Sequence, residues 1–578
     1  MVGRPPQDSR TPDYPSVAEF VLFPTSVGRV PELVLGPLLR YVDTTSATVW
    51  VETDRPCLVA VLDAEAPTFT VHGHHYALVD VTGLEPGGST PYEVHLDGER
   101  CWPPPGSSYP PSRIRTLDPA RRLRLSFGSC RTSVPHDDEY NRTHGLDVLR
   151  ALGGRLATLP EDEWPDALLM LGDQVYADSP SPAMLEHIEQ RRGLDQAPGA
   201  ELADFEEYAH LYRLAWSDPT NRWLLSTVPS MMIFDDHDIR DDWNTSQAWR
   251  EQVAALPWWP RRIVGGLGSY WIYQHAGNLS VDERDKDPLL AELRAATGDA
   301  GGVLDRHAAD AYAKPETIRW SYARDIGGVR LVVLDTRCGR VLTPGRRAML
   351  DEREWAWFDE LARGDVDHLL IGTSLPYLLP RGVHELELWN EAIADGRWGR
   401  RRMARFGERA RQALDLEHWA AFRASFDAMA AVLAEVSTGR RGRPPATVVF
   451  LSGDVHFSYL MRARLPGAGQ RGSAIFDDQR SRIFQAVCSP IRNPLPRGIR
   501  YANMVASFGV AGVVGRLLAR TAGLRGQALR WRLAYGPTFD NALATLDLAG
   551  RNATLRWQTA RPADGAEPDV ADLAEVQL

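Results

Sequence analysis

The chain has 578 residues, 44% of them apolar and 24% charged, a soluble balance too long for one core, so two or three domains are expected. A net charge of -11 argues against broad nucleic-acid binding, which works through a basic face, and five scattered cysteines exclude a disulfide framework. No run reaches the roughly 18 apolar residues of a membrane span, and no apolar signal core stands near the start, so a cytoplasmic location is the expectation.

Residues 1–30 read as an N-terminal extension. From 31 to 118 only short strands are predicted, among them "SATVWVET", "CLVAVLDA", "TFTVHGHHYALVDV" and "TPYEVHLDG", separated by turn residues. That spacing suits an all-β sandwich of the immunoglobulin or fibronectin kind, and "LEPGGSTPY" resembles a tyrosine corner. From 119 to 578 apolar strands alternate with helical stretches, the signature of α/β layering. The strand candidates are "LRLSFGS", "DALLMLGD", "SMMIFDD", "VRLVVLDTR", "HLLIGTS", "TVVFLSGD" and "RIFQAVCS", and "ALATLDL" with "ATLRWQT" reads as a terminal hairpin.

Ligands of open α/β sheets gather beyond the carboxyl ends of strands. Four such ends carry ligand-type residues: Cys130; Asp173, Tyr176 and Asp178; Asp235, Asp236, His237 and Asp238; Asp454 and His456. Singly each is weak, since a strand-end Asp more often caps a turn and a buried Cys is usually a small hydrophobe. Together, thiolate, phenolate, imidazole and carboxylate suit a trivalent or mixed transition-metal site with an oxygen-rich site beside it. The stretch "MMIFDDHDIRDDWN" poses the question most sharply, because five carboxylates in eight residues cannot follow an apolar strand into a dry core unpaired. A calcium helix-loop-helix starting at Asp236 fails, because Asp241 and Gln247 stand where Gly and Glu are needed.

In their order, the motifs "SC", "GDxxY", "DDH" and "GDxH" resemble those of the alkaline phosphatase D (PhoD-like) family of metallophosphoesterases, over nearly the whole chain. The resemblance implies a β-sandwich flanked by helices, preceded here by the β module. It also implies hydrolysis of phosphomonoesters or phosphodiesters at two metals, ferric iron and calcium or another divalent ion. It implies that Asp173 bridges both metals, that Cys130, Tyr176 and His456 serve the iron side, and that Asp236 and Asp454 complete the ligand set. His237, next to Asp236, is expected to meet phosphoryl oxygens or protonate the leaving group. Arg131 and Arg337 follow strand ends, and binding phosphate and forming a structural ion pair are equal alternatives for them. Asp235 and Asp238 are expected to orient neighbours, and Asp241 and Asp242 to be solvated.

No histidine is found at the fourth superfamily motif, where "IGTSLPY" falls, so a binding or scaffold protein on a decayed phosphatase fold stands as the alternative. The expected substrate is a small or lipid-derived phosphate ester. The Arg-rich stretch Arg397–Arg411 reads as a solvated helix, with steering of a polyanion as the other reading. Tyr501–Gly515, uncharged over fifteen residues, reads as a protein-buried helix in preference to one lying on a membrane.

Overall fold

The computed structural model describes residues 29–399, 401–465, 479–496, 498, 500, 509–524, 528–563 and 568–578. The N-terminal extension, apart from Arg29 and Val30, lies outside the described residues, as does the stretch 501–508 of the apolar segment. Pro31–Leu578 forms one compact unit.

The first ten strands build the β module: β1 Leu33–Val42, β2 Ser46–Thr53, β3 Leu58–Val61, β4 Ala64–Pro67, β5 Phe69–Val71, β6 His74–Thr82, β7 Ser89–Pro91, β8 Val94–Leu96, β9 Glu99–Trp102 and β10 Arg113–Arg115. Two four-stranded antiparallel sheets, β1-β2-β6-β5 and β4-β3-β8-β9, enclose Leu39, Val49, Val51, Val59, Val61 and Val79. Alternation along β2 turns Val49 and Val51 into that core and Trp50 into the larger core beyond it. The run read as one strand from 68 to 81 is a hairpin, because His72 and Gly73 both take positive φ, 50° and 81°, as a two-residue turn requires. The tyrosine-corner reading also changes: Tyr92 donates its hydroxyl to the Ser226 carbonyl at 2.6 Å, outside the module. Arg40, fully buried, likewise donates to the carbonyls of Ser230, Tyr273 and Gln274.

Thirteen strands follow: β11 Leu123–Gly128, β12 Ala167–Leu171, β13 Ser230–Ile233, β14 Tyr322–Ile326, β15 Val329–Leu334, β16 His368–Thr373, β17 Thr447–Ser452, β18 Ser458–Arg464, β19 Arg482–Val487, β20 Arg530–Thr538, β21 Leu543–Ala549, β22 Asn552–Arg561 and β23 Asp569–Gln577. They form a six-stranded sheet, β13-β12-β11-β21-β22-β23, and a seven-stranded sheet, β14-β15-β16-β17-β19-β18-β20. The strands β11–β13 are mutually parallel, as are β15, β16, β17 and β19. Parallel strands covered on both faces read as continuous apolar runs, which is why these were visible in the sequence. The strands that sequence reading passes over, β14, β18, β20 and β23, lie at or next to sheet edges, where polar residues interrupt the apolar pattern.

Alternation makes the layers. Leu331, Val333, Leu370, Val449 and Ala486 pack toward the six-stranded sheet, while Val332, Leu334, Leu369, Val448 and Ile483 pack toward helices. The helices used below are α1 Val148–Leu156, α2 Phe205–Trp216, α3 Pro219–Thr227, α4 Arg381–Ala394, α5 Arg401–Ala413, α6 Arg423–Thr438 and α7 Gly509–Thr521. On the outer face of the six-stranded sheet lie α1 and α3, through Leu149, Leu152 and Leu224; on that of the other sheet lies α6, through Phe426, Met429 and Leu433. The result is the helix-flanked β-sandwich expected from the sequence, preceded by an all-β region.

Candidate metal centre

Parallel register delivers the ends of β11, β12, β13 and β17 to one edge of the sandwich. There the backbone leaves extended geometry abruptly. Cys130, Asp173, Asp454 and His456 all take left-handed φ, between 53° and 66°, which costs a non-glycine residue about 1 kcal/mol or more. Four such residues, each carrying a ligand atom, mark strain gathered at a site. Close approach is allowed by Gly172 (φ 103°), where a Cβ would stand 2.5 Å from that of Asp235.

Among the described residues three groups bring ligand atoms within 4.8 Å of one another: Cys130, Asp173 and His456; Asp173, Asp236 and His237; Asp235, Asp236 and Asp454. The first two share Asp173. Asp173 is buried, its Oδ1 accepts no hydrogen bond, and its Oδ2 accepts only the Tyr176 hydroxyl at 3.3 Å. Burial first, then the charges of Asp235, Asp236 and Asp238, push its carboxyl far above the usual range. Cys130 is buried against the Ser129 and Ser489 hydroxyls at 3.1 and 3.2 Å, and burial with the nearby Asp173 and Asp454 holds its thiol far up. Burial and the Asp173 charge do the same to Tyr176. Burial holds His456 neutral, its pKa lowered to about 4, which leaves a lone pair for a cation. Crowded carboxylates, a thiol and a phenol that all resist ionisation are what a bound cation would relieve, so the two groups sharing Asp173 fit metal ions.

The third group does not fit one. The fully buried Arg337 guanidinium already stands among its oxygens: Nε bonds Asp235 Oδ1, and Nη2 lies 3.0 Å from Asp236 Oδ1 and 3.6 Å from Asp454 Oδ1. Its Nη1 meets Glu417 at 2.5 Å. Asp454 is held ionised on its other side by His418, whose Nε2 lies 2.8 Å away and whose Nδ1 rests on Glu387 at 2.7 Å. Burial works against the Asp454 charge, but the His418 and Arg337 cations outweigh it and depress its pKa.

His237 faces the second group. Its Nδ1 lies 3.0 Å from both oxygens of Asp178, and its ring lies against that of Tyr176, tilted by 34° with centroids 4.7 Å apart. Burial disfavours the imidazolium, but Asp178 and Asp236 outweigh it and hold the pKa well above the ordinary value. Asp238 orients the strand ends: its Oδ2 accepts the backbone N–H of Asp173 and of Asp235, each at 2.9 Å.

Residues 155–263 match the model of the PhoD-like phosphatase family. Within those residues the chain matches a PhoD-like phosphatase domain. Its enzyme class is accordingly that of a phosphatase hydrolase. Residues 30–114 match a domain of unknown function, DUF7800, and no curated protein matches the sequence. Among solved structures the chain is similar in fold to PhoD, at 12% identity and a TM-score of 0.55, over 94% of this chain and 89% of that one. A purple acid phosphatase, PPD1 from yellow lupin (Lupinus luteus) seeds, aligns at 10% identity and a TM-score of 0.45, over 94% and 74%.

The fold brings Cys130, Asp173, Tyr176, Asp236, His237, Asp454 and His456 to one edge, but the two candidate phosphate-binding arginines have other partners. Arg131 is buried against Asp147, with Nη2 to Oδ2 at 2.7 Å, and donates to the Ala215 carbonyl. Asp147 also caps α1, so strand end and helix start are tied by one ion pair. Arg337 is wholly enclosed by carboxylates. Of the acids read as solvated, Asp241 has a 66% exposed side chain, whereas Asp242 is drawn inward, its N–H donating to Asp236 and its carboxyl pushed up to about 9 by burial and by Glu417. Sequence reasoning missed Ser489, Glu417, His418 and Glu387, and also Asn493, which lies beside Tyr176 and His456. Each lies far along the chain from the motifs, and only the acid–His pair of "LEHW" carried any signal.

Proposed function

We propose that the chain hydrolyses phosphate esters, diesters among them, at a two-metal centre built on Asp173. The observation that carries this is that two ligand groups among the described residues share Asp173, whose buried Oδ1 accepts no hydrogen bond, whereas Arg337 stands among the oxygens of the third group. Cys130, Tyr176 and His456 would hold an iron ion in the ferric state, since two of them are anionic soft or phenolic donors. Asp236, together with the shared Asp173, would hold calcium or another divalent ion. When bound, the ions would acidify a water and offset the charge of the ester.

The protein's own part is positional. Asp173 joins the two halves of the centre. Asp178 fixes the His237 ring and keeps it protonated, so Nε2 presents a proton toward the leaving oxygen or a phosphoryl oxygen. Asp238 and its two backbone donors hold the strand ends that carry Asp173 and Asp236. Small or lipid-derived phosphate esters are the substrate class. The test is turnover of an activated aryl phosphodiester: hydrolysis lost on chelation and regained with added metal supports the reading, and full metal loading without turnover of any phosphate ester removes it.

A further inference from the structure

On this acidic chain the described parts of α5 and α7 carry a surface that is both basic and apolar. Of the ten large apolar side chains exposed among the described residues, six fall on α5, α7 and their flanks. Val513, Val514 and Leu517 of α7 are 48%, 53% and 55% exposed, and Phe406 of α5 is 53% exposed. The opposite side of α7 is spoken for: Gly512 and Gly515 seat against Arg381 and Glu385 of α4, and Ala519 is buried. The sequence expectation of a wholly buried helix therefore holds for one face of the described part only.

Charge selects the occupant. Residues 397–414 contain seven arginines and one acid, Glu408, which is occupied by Arg411 and Ser246; residues 509–524 contain two arginines and no acid. Arg402, Arg405 and Arg409 follow one another at helical spacing beside Phe406, and Arg516 and Arg520 flank Leu517, all five exposed. The two helices meet at α4: Met403 packs against the apolar cluster that Leu388, Ala392 and Ile393 form with Ala519 and Ala522, and the half-exposed Trp398 indole donates to the Thr521 carbonyl. A second copy is a poor occupant, because a two-fold contact would press this arginine face on itself. At 13 residues α7 is too short to span a bilayer.

We propose that this surface docks on an anionic lipid bilayer, with Val513, Val514, Leu517, Phe406 and Trp398 entering the interface and the arginines meeting lipid headgroups. The face is joined to the metal centre through α4, whose Glu387 carries His418 and so Asp454, and through the Glu408–Ser246 contact to the loop after His237. Docking would hold the centre near the bilayer.

The experiment is co-flotation of the full chain with phosphatidylcholine vesicles, with and without phosphatidylglycerol. The wild type should float with the anionic vesicles at least about fivefold more than with the neutral ones, and less so as salt rises. Leu517→Asp with Phe406→Asp, and separately Arg402→Glu with Arg405→Glu, should each abolish the difference while melting temperature and turnover of a soluble aryl ester stay unchanged. No flotation of the wild type, or flotation indifferent to both variants, overturns the proposal. So does a self-associated wild type that Leu517→Asp dissociates, since the face would then cover a second copy.

Discussion

The Nδ1 atom of His237 stands 3.0 Å from each carboxylate oxygen of Asp178, and the same carboxylate accepts the backbone N–H of Asp241 at 2.5 Å. The ring is therefore fixed by a group that also favours its charged form. If His237 protonates the leaving group, His237→Gln should cost roughly 10²–10⁴ in kcat for alkyl esters and much less for activated aryl esters, whose leaving oxygens need no proton. Because its pKa is raised, the protonated form persists through neutral pH and activity should fall on the alkaline side. Asp178→Asn should move that alkaline limb to lower pH. A pH–kcat profile with both ester types checks this; equal losses for both would assign His237 to phosphoryl oxygens.

Arg131→Met should act on stability before chemistry. It leaves Asp147, whose pKa Arg131 holds down at about 2 against the effect of burial, charged and unpaired in the core. Breaking one side of such a pair costs about 3–5 kcal/mol. Thermal unfolding should show that loss, while kcat of the folded fraction at moderate temperature changes little. A normal melting temperature with a kcat fall of about a hundredfold or more would return Arg131 to the substrate.

Arg131 and Arg337 show which features of the site are legible in the sequence and which are not. Apolar parallel strands announce themselves as continuous runs, so the ends of β11, β12, β13 and β17 were legible, and with them Cys130, Asp173, Asp236 and Asp454. Where a long side chain turns after leaving a strand was not. Arg131 and Arg337 both follow such ends, yet one is claimed by a helix cap sixteen residues on and the other by Glu417, eighty residues on. His418 was hidden for the same reason: it reaches Asp454 from a loop with no periodic pattern, held by Glu387 of a different helix. The edge strands β20 and β23 were missed because half-exposed polar residues erase the alternation.

Colour tests the iron side. Cys130 and Tyr176 both resist ionisation in their buried setting, so only a highly charged cation would draw out thiolate and phenolate. Aerobically purified, iron-loaded protein should show a visible charge-transfer band that bleaches on reduction. Cys130→Ser and Tyr176→Phe should each shift or weaken it. An iron-replete sample with no band, or one indifferent to both substitutions, would place both side chains outside the ion's reach.

His74 ties the β module to α2. Its Nδ1 lies 2.8 Å from Glu52 and its Nε2 2.9 Å from Glu206. Burial opposes its charge, but the two carboxylates outweigh burial and raise its pKa to about 9. A group raised in the folded state stabilises fully below its unfolded value, about 6.5, and that contribution fades as pH rises through about 9. With a side chain 22% exposed, the contribution is at most about 3 kcal/mol. The melting-temperature gap between wild type and His74→Gln should be largest near pH 6 and shrink toward pH 9.5. A gap independent of pH would contradict the charged pairing.

The account rests on Asp173 serving two metal ions at once. Metal-free protein titrated with iron and then with a divalent ion should bind two equivalents, and turnover of an aryl phosphodiester should appear with the second. In Asp173→Asn both equivalents should weaken together and turnover should be lost, because one side chain belongs to both ligand groups. Turnover complete at one equivalent, or Asp173→Asn binding both ions at near-normal rate and affinity, would contradict the shared centre.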